Sequence, residues 1–143
     1  MVSSEIKNFG ILGYPVVHSL SPHMYRAVFD AAGYHNYNYI PLPVQTGKLY
    51  FAVEALKGLD FRGANVTIPH KTMILNFLDG IDADAMIIGA VNTIVNDGGI
   101  LTGYNTDVFG FLSSLKEANF LPEGCNAVIL GAGGAARAIL WGL

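Results

Sequence analysis

The sequence predicts an α/β layer fold: three layers, with a mostly parallel sheet flanked by helices and one antiparallel edge strand. Three observations carry this expectation. Short apolar runs of strand character alternate with segments whose apolar residues recur at helical spacing, the pattern of parallel strands joined by helical crossovers. One exception, residues 91–95 and 100–102 joined by Asn96-Asp97-Gly98-Gly99, has hairpin-turn chemistry and supplies the antiparallel member. Apolar residues make up 52% of the 143 and charged residues 13%, which suits a substantial core and not a disordered chain.

Taken in order, residues 9–13 (Phe-Gly-Ile-Leu-Gly) read as a short buried strand ended by glycine and Pro15, followed by a loop over 16–20. Ser21-Pro22 then starts a helix, with Ser21 as N-cap and Pro22 at the first helical position. Met24, Val28, Phe29 and Ala32 fall at helical spacing, and Gly33 closes the helix. Residues 37–42 form a second strand. Thr46 caps a helix with Leu49, Val53, Leu56 and Leu59 on one face.

A third strand lies within 61–68, centred on 64–67, and Pro69 halts it while opening a short helix carrying Met73, Ile74, Phe77 and Leu78. Residues 82–88 form another helix ended by Gly89. After the hairpin, Asn105 or Thr106 caps a helix running to about Ala118, and residues 126–130 form a final strand. Polar residues, Pro122 and Gly124 between 119 and 124 mark a boundary, dividing the chain into 1–120 and 121–143.

The composition excludes several classes. A net charge of −3 with no run of Lys or Arg argues against nucleic acid, so any anionic ligand must be held by local donors. The single Cys125 rules out an intrachain disulfide, fits a reducing compartment, and reads as a small buried or half-buried filler. The first ten residues lack a basic stretch followed by an apolar one, and no apolar run approaches about 18 residues. The expectation is therefore a cytoplasmic protein with no signal peptide and no membrane span.

Five stretches carry candidate chemistry. Gly131-Ala132-Gly133-Gly134-Ala135-Ala136 fits G-x-G-x-x-A between a strand and a helix. Gly131 permits the tight turn, Gly133 admits a pyrophosphate to the backbone, and Ala136 allows close packing of helix on strand. A glycine-rich turn that only packs is the plain alternative. In His18-Ser19-Leu20-Ser21-Pro22, two hydroxyls beside a helix start can donate to a carboxylate. Ser21 reads equally as an N-cap, whereas Ser19 caps nothing evident. His18 and His23 have no metal-ligand spacing, so no metal is expected.

In Asn65-Val66-Thr67-Ile68-Pro69-His70-Lys71, Asn65 and Thr67 fall on one face of a strand with a lysine beyond them. That suits a polyhydroxylated ligand, or equally an edge strand with a solvated lysine. Asn92 begins a strand, where its amide can point from the sheet rim. Asp107 sits in the first turn of a helix, where its charge also favours the dipole. If Lys71 and Asp107 meet beside a reacting hydroxyl, they form a proton-transfer pair. A free lysine titrates near about 10.4; burial lowers that and a neighbouring carboxylate raises it.

Together and in this order, HSLSP, NVTIPHK, IGAVNT, GYNTDVFG and GAGGAARA resemble the shikimate dehydrogenase family, from about Phe9 to Leu143. The resemblance implies reversible reduction of 3-dehydroshikimate to shikimate with NADP as the usual cofactor and NAD as the variant. It implies a substrate-binding α/β domain (1–120) followed by the first strand and helix of a Rossmann-like cofactor domain (121–143). Ser19 and Ser21 would hold the substrate carboxylate, and Asn65, Thr67, Asn92 and Asp107 the ring hydroxyls. Lys71 and Asp107 would be the catalytic pair, with Gly131, Ala132, Gly133, Gly134 and Ala135 at the cofactor pyrophosphate.

Tyr25-Arg26 departs from the His-Asn or Tyr-Asn often found there, a change expected to affect helix packing more than substrate contacts. Family members are about twice as long, so the expectation is a substrate-binding half that is inactive alone. Its apolar C-terminal stretch is expected to fold back, to pair with another copy, or to be disordered. A quinate/shikimate dehydrogenase and a non-catalytic small-molecule binding module are the alternatives.

Overall fold

Adjacent residues Ile11 and Leu12 of β1 (Lys7–Gly13) are both buried, on opposite faces of the strand, so β1 is covered on two sides. The computed structural model describes residues 5–143; the N-terminal stretch read as lacking a leader falls partly on residues 1–4, outside the described residues. With β2 (Tyr37–Pro43), β3 (Phe61–Val66), β4 (Gly80–Ile81), β5 (Thr93–Asp97) and β6 (Ile100–Tyr104), β1 builds a six-stranded sheet of order β2-β1-β3-β5-β6-β4.

Every neighbouring pair is parallel except those made by β5, which runs against both β3 and β6. The antiparallel strand is therefore interior rather than at the edge. The cause is β6, which pairs with the outer side of β5; the edge itself falls to β4, a two-residue strand with no clear sequence signal that pairs with the far side of β6. The hairpin forms at the expected turn, with Gly98 and Gly99 both at positive φ. Buried Asn96 ties it down: its amide donates to the Phe61 carbonyl at 2.7 Å and its oxygen accepts from the Gly99 N–H at 2.9 Å.

One sheet face is covered by α1 (Ser21–Ala31), through Ile11, Val16, Phe29 and Tyr39 with Phe9, Tyr25 and Tyr37 packed against them. The other carries the larger core, where Leu12, Ala64, Val66, Ile94 and Leu101 meet Leu49, Val53 and Leu56 of α2 (Leu49–Gly58) and Ile74 of a 3-10 turn, Met73–Phe77. Another 3-10 turn, Thr46–Lys48, leads into α2, and Thr46 makes no side-chain cap. Leu59 does not join the α2 face; it follows the helix end, where the backbone leaves helical geometry, and is 66% exposed.

The buried stripe of α1 also differs from expectation. Met24 and Val28 are more than half exposed, while Phe29 is buried with Tyr25 beside it. Aromatic rings on the sheet decide this, because Tyr25 stacks on Tyr39 with centroids 4.3 Å apart and Phe29 meets Phe9 at 5.7 Å. Arg26 turns outward to an exposed ion pair with Asp30.

Helix α3 (Ala83–Ile88) is bounded as its sequence implies. Asp82 accepts from the Asp84 N–H, and Gly89 closes it in the left-handed conformation. Helix α4 (Asp107–Glu117) follows β6, and α5 (Gly134–Gly142) ends the chain. Of the three outcomes expected for the C-terminal stretch, α5 takes the first: Ala138 is fully buried with Ile88, Ala90 and Val108, against α3 and α4.

Residues 126–130 form no strand, contrary to expectation. No neighbouring strand bonds to them, a lone extended segment has no ladder to satisfy its backbone, and Val128 and Leu130 are almost wholly exposed. Cys125 is exposed rather than buried because this segment leaves the core. No helix among the described residues is long and apolar enough to cross a membrane.

Candidate active site

The loop after β1, the end of β3, the start of β5 and the loop after β6 converge at one rim of the sheet. It is the carboxyl rim of the parallel strands, where open α/β sheets place ligands. Each of these loops brings a polar side chain predicted from the sequence.

Before α1, Leu20 holds the N-cap position without a side-chain cap, and Ser19 reaches forward to the first residue of the helix. Its Oγ accepts from the Ser21 N–H at 3.2 Å, and its hydroxyl donates to Ser21 Oγ at 3.1 Å. Ser21 is the first residue of the helix and not its N-cap, a position that Leu20 occupies. Two adjacent hydroxyls at a helix start suit a carboxylate, as the spacing implied.

At the end of β3, Asn65 accepts from the Tyr39 hydroxyl at 2.7 Å and donates to Thr93 Oγ1 at 3.3 Å and the Asn92 carbonyl at 3.4 Å. Burial, with Tyr25 alongside, pushes the Tyr39 hydroxyl well above the ordinary tyrosine range, partly offset by the Ser21 hydroxyl. Asn92, nearly buried, is the hub. Its Nδ2 donates to Asp107 Oδ1 at 2.8 Å and Thr106 Oγ1 at 2.9 Å, while its Oδ1 accepts from the Thr106 N–H at 3.0 Å and the Thr93 hydroxyl at 2.9 Å. A carboxylate can only accept and a backbone N–H can only donate, so these partners fix the amide's orientation.

Asp107 opens α4, and its N–H is capped by Asn105 Oδ1 at 2.9 Å. Its second oxygen accepts from Lys71 Nζ at 2.6 Å, a charge-assisted bond between side chains 17% and 26% exposed. Lys71 is anchored from both sides. Its carbonyl accepts from the Val91 N–H at 2.7 Å, while the preceding His70 is fully buried and donates from Nε2 to the Val44 carbonyl at 2.6 Å.

The geometry thus brings together Ser19 with Ser21, and Asn65, Asn92, Asp107 and Lys71 in one network. Thr67 makes no side-chain hydrogen bond with these among the described residues; it lies just past β3, with its methyl against Gly13. It joins the site another way, lining with Lys71 a cleft of about 510 Å³ whose opposite wall is Gly131, Gly133, Gly134, Ala135 and Ala136. Ala132 does not line this cleft, and its carbonyl accepts from Arg137 Nε at 3.3 Å.

Gly131 has φ 116°, a conformation that favours glycine, and nothing lies within 4 Å of the Cβ position at Gly131 or Gly133. A Cβ on Gly134 would stand 2.9 Å from the Lys71 Cβ, so the glycine turn and the lysine loop are in direct contact. Sequence reasoning missed Tyr39 and Thr93 as supporting members, whereas Asn105, one of the two residues the sequence offered to cap α4, accepts from the Asp107 N–H. Strand alternation held the signal for Tyr39, an aromatic on a covered face whose hydroxyl needs a polar partner.

Residues 11–94 match the family described as shikimate dehydrogenase substrate binding domain. Across 133 residues, 93% of this chain, the sequence is 58% identical to a shikimate dehydrogenase (NADP(+)) of Moorella thermoacetica, of which 45% is covered. A solved shikimate dehydrogenase of Peptoclostridium difficile superposes with TM-score 0.92 at 39% identity, covering 96% of this chain and 50% of that one. The shikimate 5-dehydrogenase of Thermus thermophilus, solved with NADP(H) and shikimate, gives TM-score 0.88 at 38% identity, over 96% and 51% of the two chains. The chain spans about half the length of the curated relatives it matches. By the match over residues 11–94, this chain belongs to the shikimate dehydrogenase substrate-binding domain family.

Proposed function

We propose that the chain is the substrate-binding and proton-transferring part of an NADP-dependent shikimate dehydrogenase, which interconverts 3-dehydroshikimate and shikimate. The observation that carries this reading is the 2.6 Å Lys71–Asp107 bond beside a cleft walled by the glycine turn. Residues 1–120 form the substrate domain and 121–143 the start of a Rossmann-like cofactor domain. The single cysteine supports a cytoplasmic location, and exposed Val128, Leu130 and Leu140 support association with a second copy.

Ser19 and Ser21 donate to the substrate carboxylate. Asn65, Thr67, Asn92 and Asp107 hold the ring hydroxyls, with Asp107 as an acceptor. The residues present fit a nicotinamide dinucleotide: Gly131 and Gly133 leave open backbone for a pyrophosphate, and Gly134, Ala132 and Ala135 complete the turn at the start of α5. When bound, NADPH supplies the hydride that the ketone carbon accepts. Lys71 meets the negative charge growing on the ketone oxygen, first as a hydrogen-bond donor and then by giving up its proton. In the oxidative direction Lys71 receives that proton from the substrate hydroxyl, while Asp107 holds Nζ in place.

A hybrid tests this reading directly. Residues 1–143 are joined to the part of the Moorella thermoacetica relative that the chain does not match, and NADP-linked oxidation of shikimate and of quinate is assayed. Turnover of shikimate well above quinate supports the reading. Equal turnover of both supports the quinate/shikimate alternative, and a folded hybrid inert to both contradicts the dehydrogenase reading.

A further inference from the structure

The serine pair and the Asn-Asp-Lys network sit on different elements, and one side chain spans the gap between them. Tyr39, on β2, is buried with its ring stacked flat on Tyr25, at 4.3 Å and 9°. Tyr25 lies one helical turn beyond Ser21 on the helix that the serines begin. Tyr39's hydroxyl reaches the other way and donates to Asn65 Oδ1 at 2.7 Å.

From there the donors run in one direction. Asn65 Nδ2 donates to Thr93 Oγ1, the Thr93 hydroxyl to Asn92 Oδ1, and Asn92 Nδ2 to the Asp107 carboxylate. Asn65 is the weakly held link of this array: its contacts through Nδ2 are 3.3 and 3.4 Å long, and the short bond to Tyr39 is what holds its oxygen end. Remove the Tyr39 proton and the amide loses its strongest constraint.

We propose that Tyr39 is a positioning residue that fixes the Asn65 amide, and with it the register between the carboxylate-binding serines and the hydroxyl-binding network. This rests on the functional reading above. Tyr39 touches no reacting atom; it acts through Asn65. Burial keeps its hydroxyl protonated, so it remains a donor throughout the neutral range.

The test uses Tyr39→Phe, which keeps the ring and its stack and removes only the hydroxyl. Shikimate affinity is measured by NMR titration of the 143-residue chain as wild type, Tyr39→Phe, Asn65→Ala and the double variant. The expected loss for Tyr39→Phe is roughly five- to tenfold in Kd, shrinking to under about twofold when Asn65 is already alanine. A merely structural tyrosine would cost the same in both backgrounds, and that result overturns the proposal, as does unchanged affinity in Tyr39→Phe.

A wild-type chain that binds no shikimate would contradict the functional reading instead. The Tyr39–Asn65 link is then decided in the ligand-free protein. Asn65 side-chain amide signals that move in Tyr39→Phe, while other Asn signals hold, support it; unmoved Asn65 signals overturn it.

Discussion

Lys71 Nζ and Asp107 Oδ2 stand 2.6 Å apart although 36 residues separate them in sequence. Asp107 is held by Asn92 and Asn105, and the Lys71 backbone by Val91, so the contact is imposed by the surrounding loops rather than by the two long side chains finding each other. An ammonium and a carboxylate placed this way can share the handling of one substrate proton. Lys71→Ala in the hybrid enzyme is therefore expected to lower kcat by about 10²- to 10⁴-fold. Asp107→Asn is expected to lower it as well, and steady-state rates near wild type for either variant would remove the pair from the chemistry.

Asn92 has every polar atom of its side chain engaged and is nearly buried. Asn92→Ala leaves the Thr106 N–H and one Asp107 oxygen without their partner, at an expected cost of about 1–3 kcal/mol. Urea unfolding measures the cost, and the same variant should lose the shikimate-induced shifts at Asp107. Unchanged stability would mean that water replaces the amide freely.

The contact between the glycine turn and the lysine loop makes a steric prediction. A Cβ at Gly134 would meet Lys71 Cβ at 2.9 Å and Ala90 Cβ at 3.2 Å, so Gly134→Ala should destabilise by about 1–3 kcal/mol and shift the Lys71 amide signal. Gly47→Ala, with nothing within 4 Å of its Cβ position, should stay within about 0.5 kcal/mol of wild type. Equal melting behaviour of the two variants would show that the turn does not rest on Lys71.

Acid sensitivity should have a contribution from Asp79, away from the site. The Leu101 N–H and the Lys57 ammonium, at 2.7 and 3.0 Å, hold its carboxyl below the ordinary 3.8. A carboxyl lowered on folding stabilises the protein fully above its unfolded value, and that contribution fades as pH falls through the lower folded value. Urea midpoints for wild type and Asp79→Asn should therefore converge as pH drops from about 5 toward 2. A constant gap across that range would contradict the assignment.

How far the sequence spoke for itself varied with the range of the interaction. Asp82 and Gly89 mark both ends of α3 by local chemistry, and Gly98-Gly99 marks the hairpin the same way. The candidate site residues stand out in the sequence as polar side chains in otherwise apolar strand ends. Their partners did not, because which amide meets which carboxylate depends on β5 lying between β3 and β6.

Tertiary contacts also overrode two local patterns. On α1, rings on the sheet selected Tyr25 and Phe29 over Met24 and Val28. Residues 126–130 have strand composition, yet composition without a neighbouring strand forms no ladder. Ser19 looked free of structural duty and is in fact the side chain that satisfies the start of α1.

Whether these 143 residues carry the proposed shikimate site assembled is read out by titrating the isotope-labelled chain with shikimate while following backbone and Asn side-chain amides. Saturable shifts clustered at Ser19, Ser21, Asn65, Thr67, Lys71, Asn92 and Asp107 are expected, with Asp79 and the exposed 126–130 segment unmoved. A well-dispersed spectrum in which shikimate moves nothing, or moves residues away from this rim of the sheet, would contradict it.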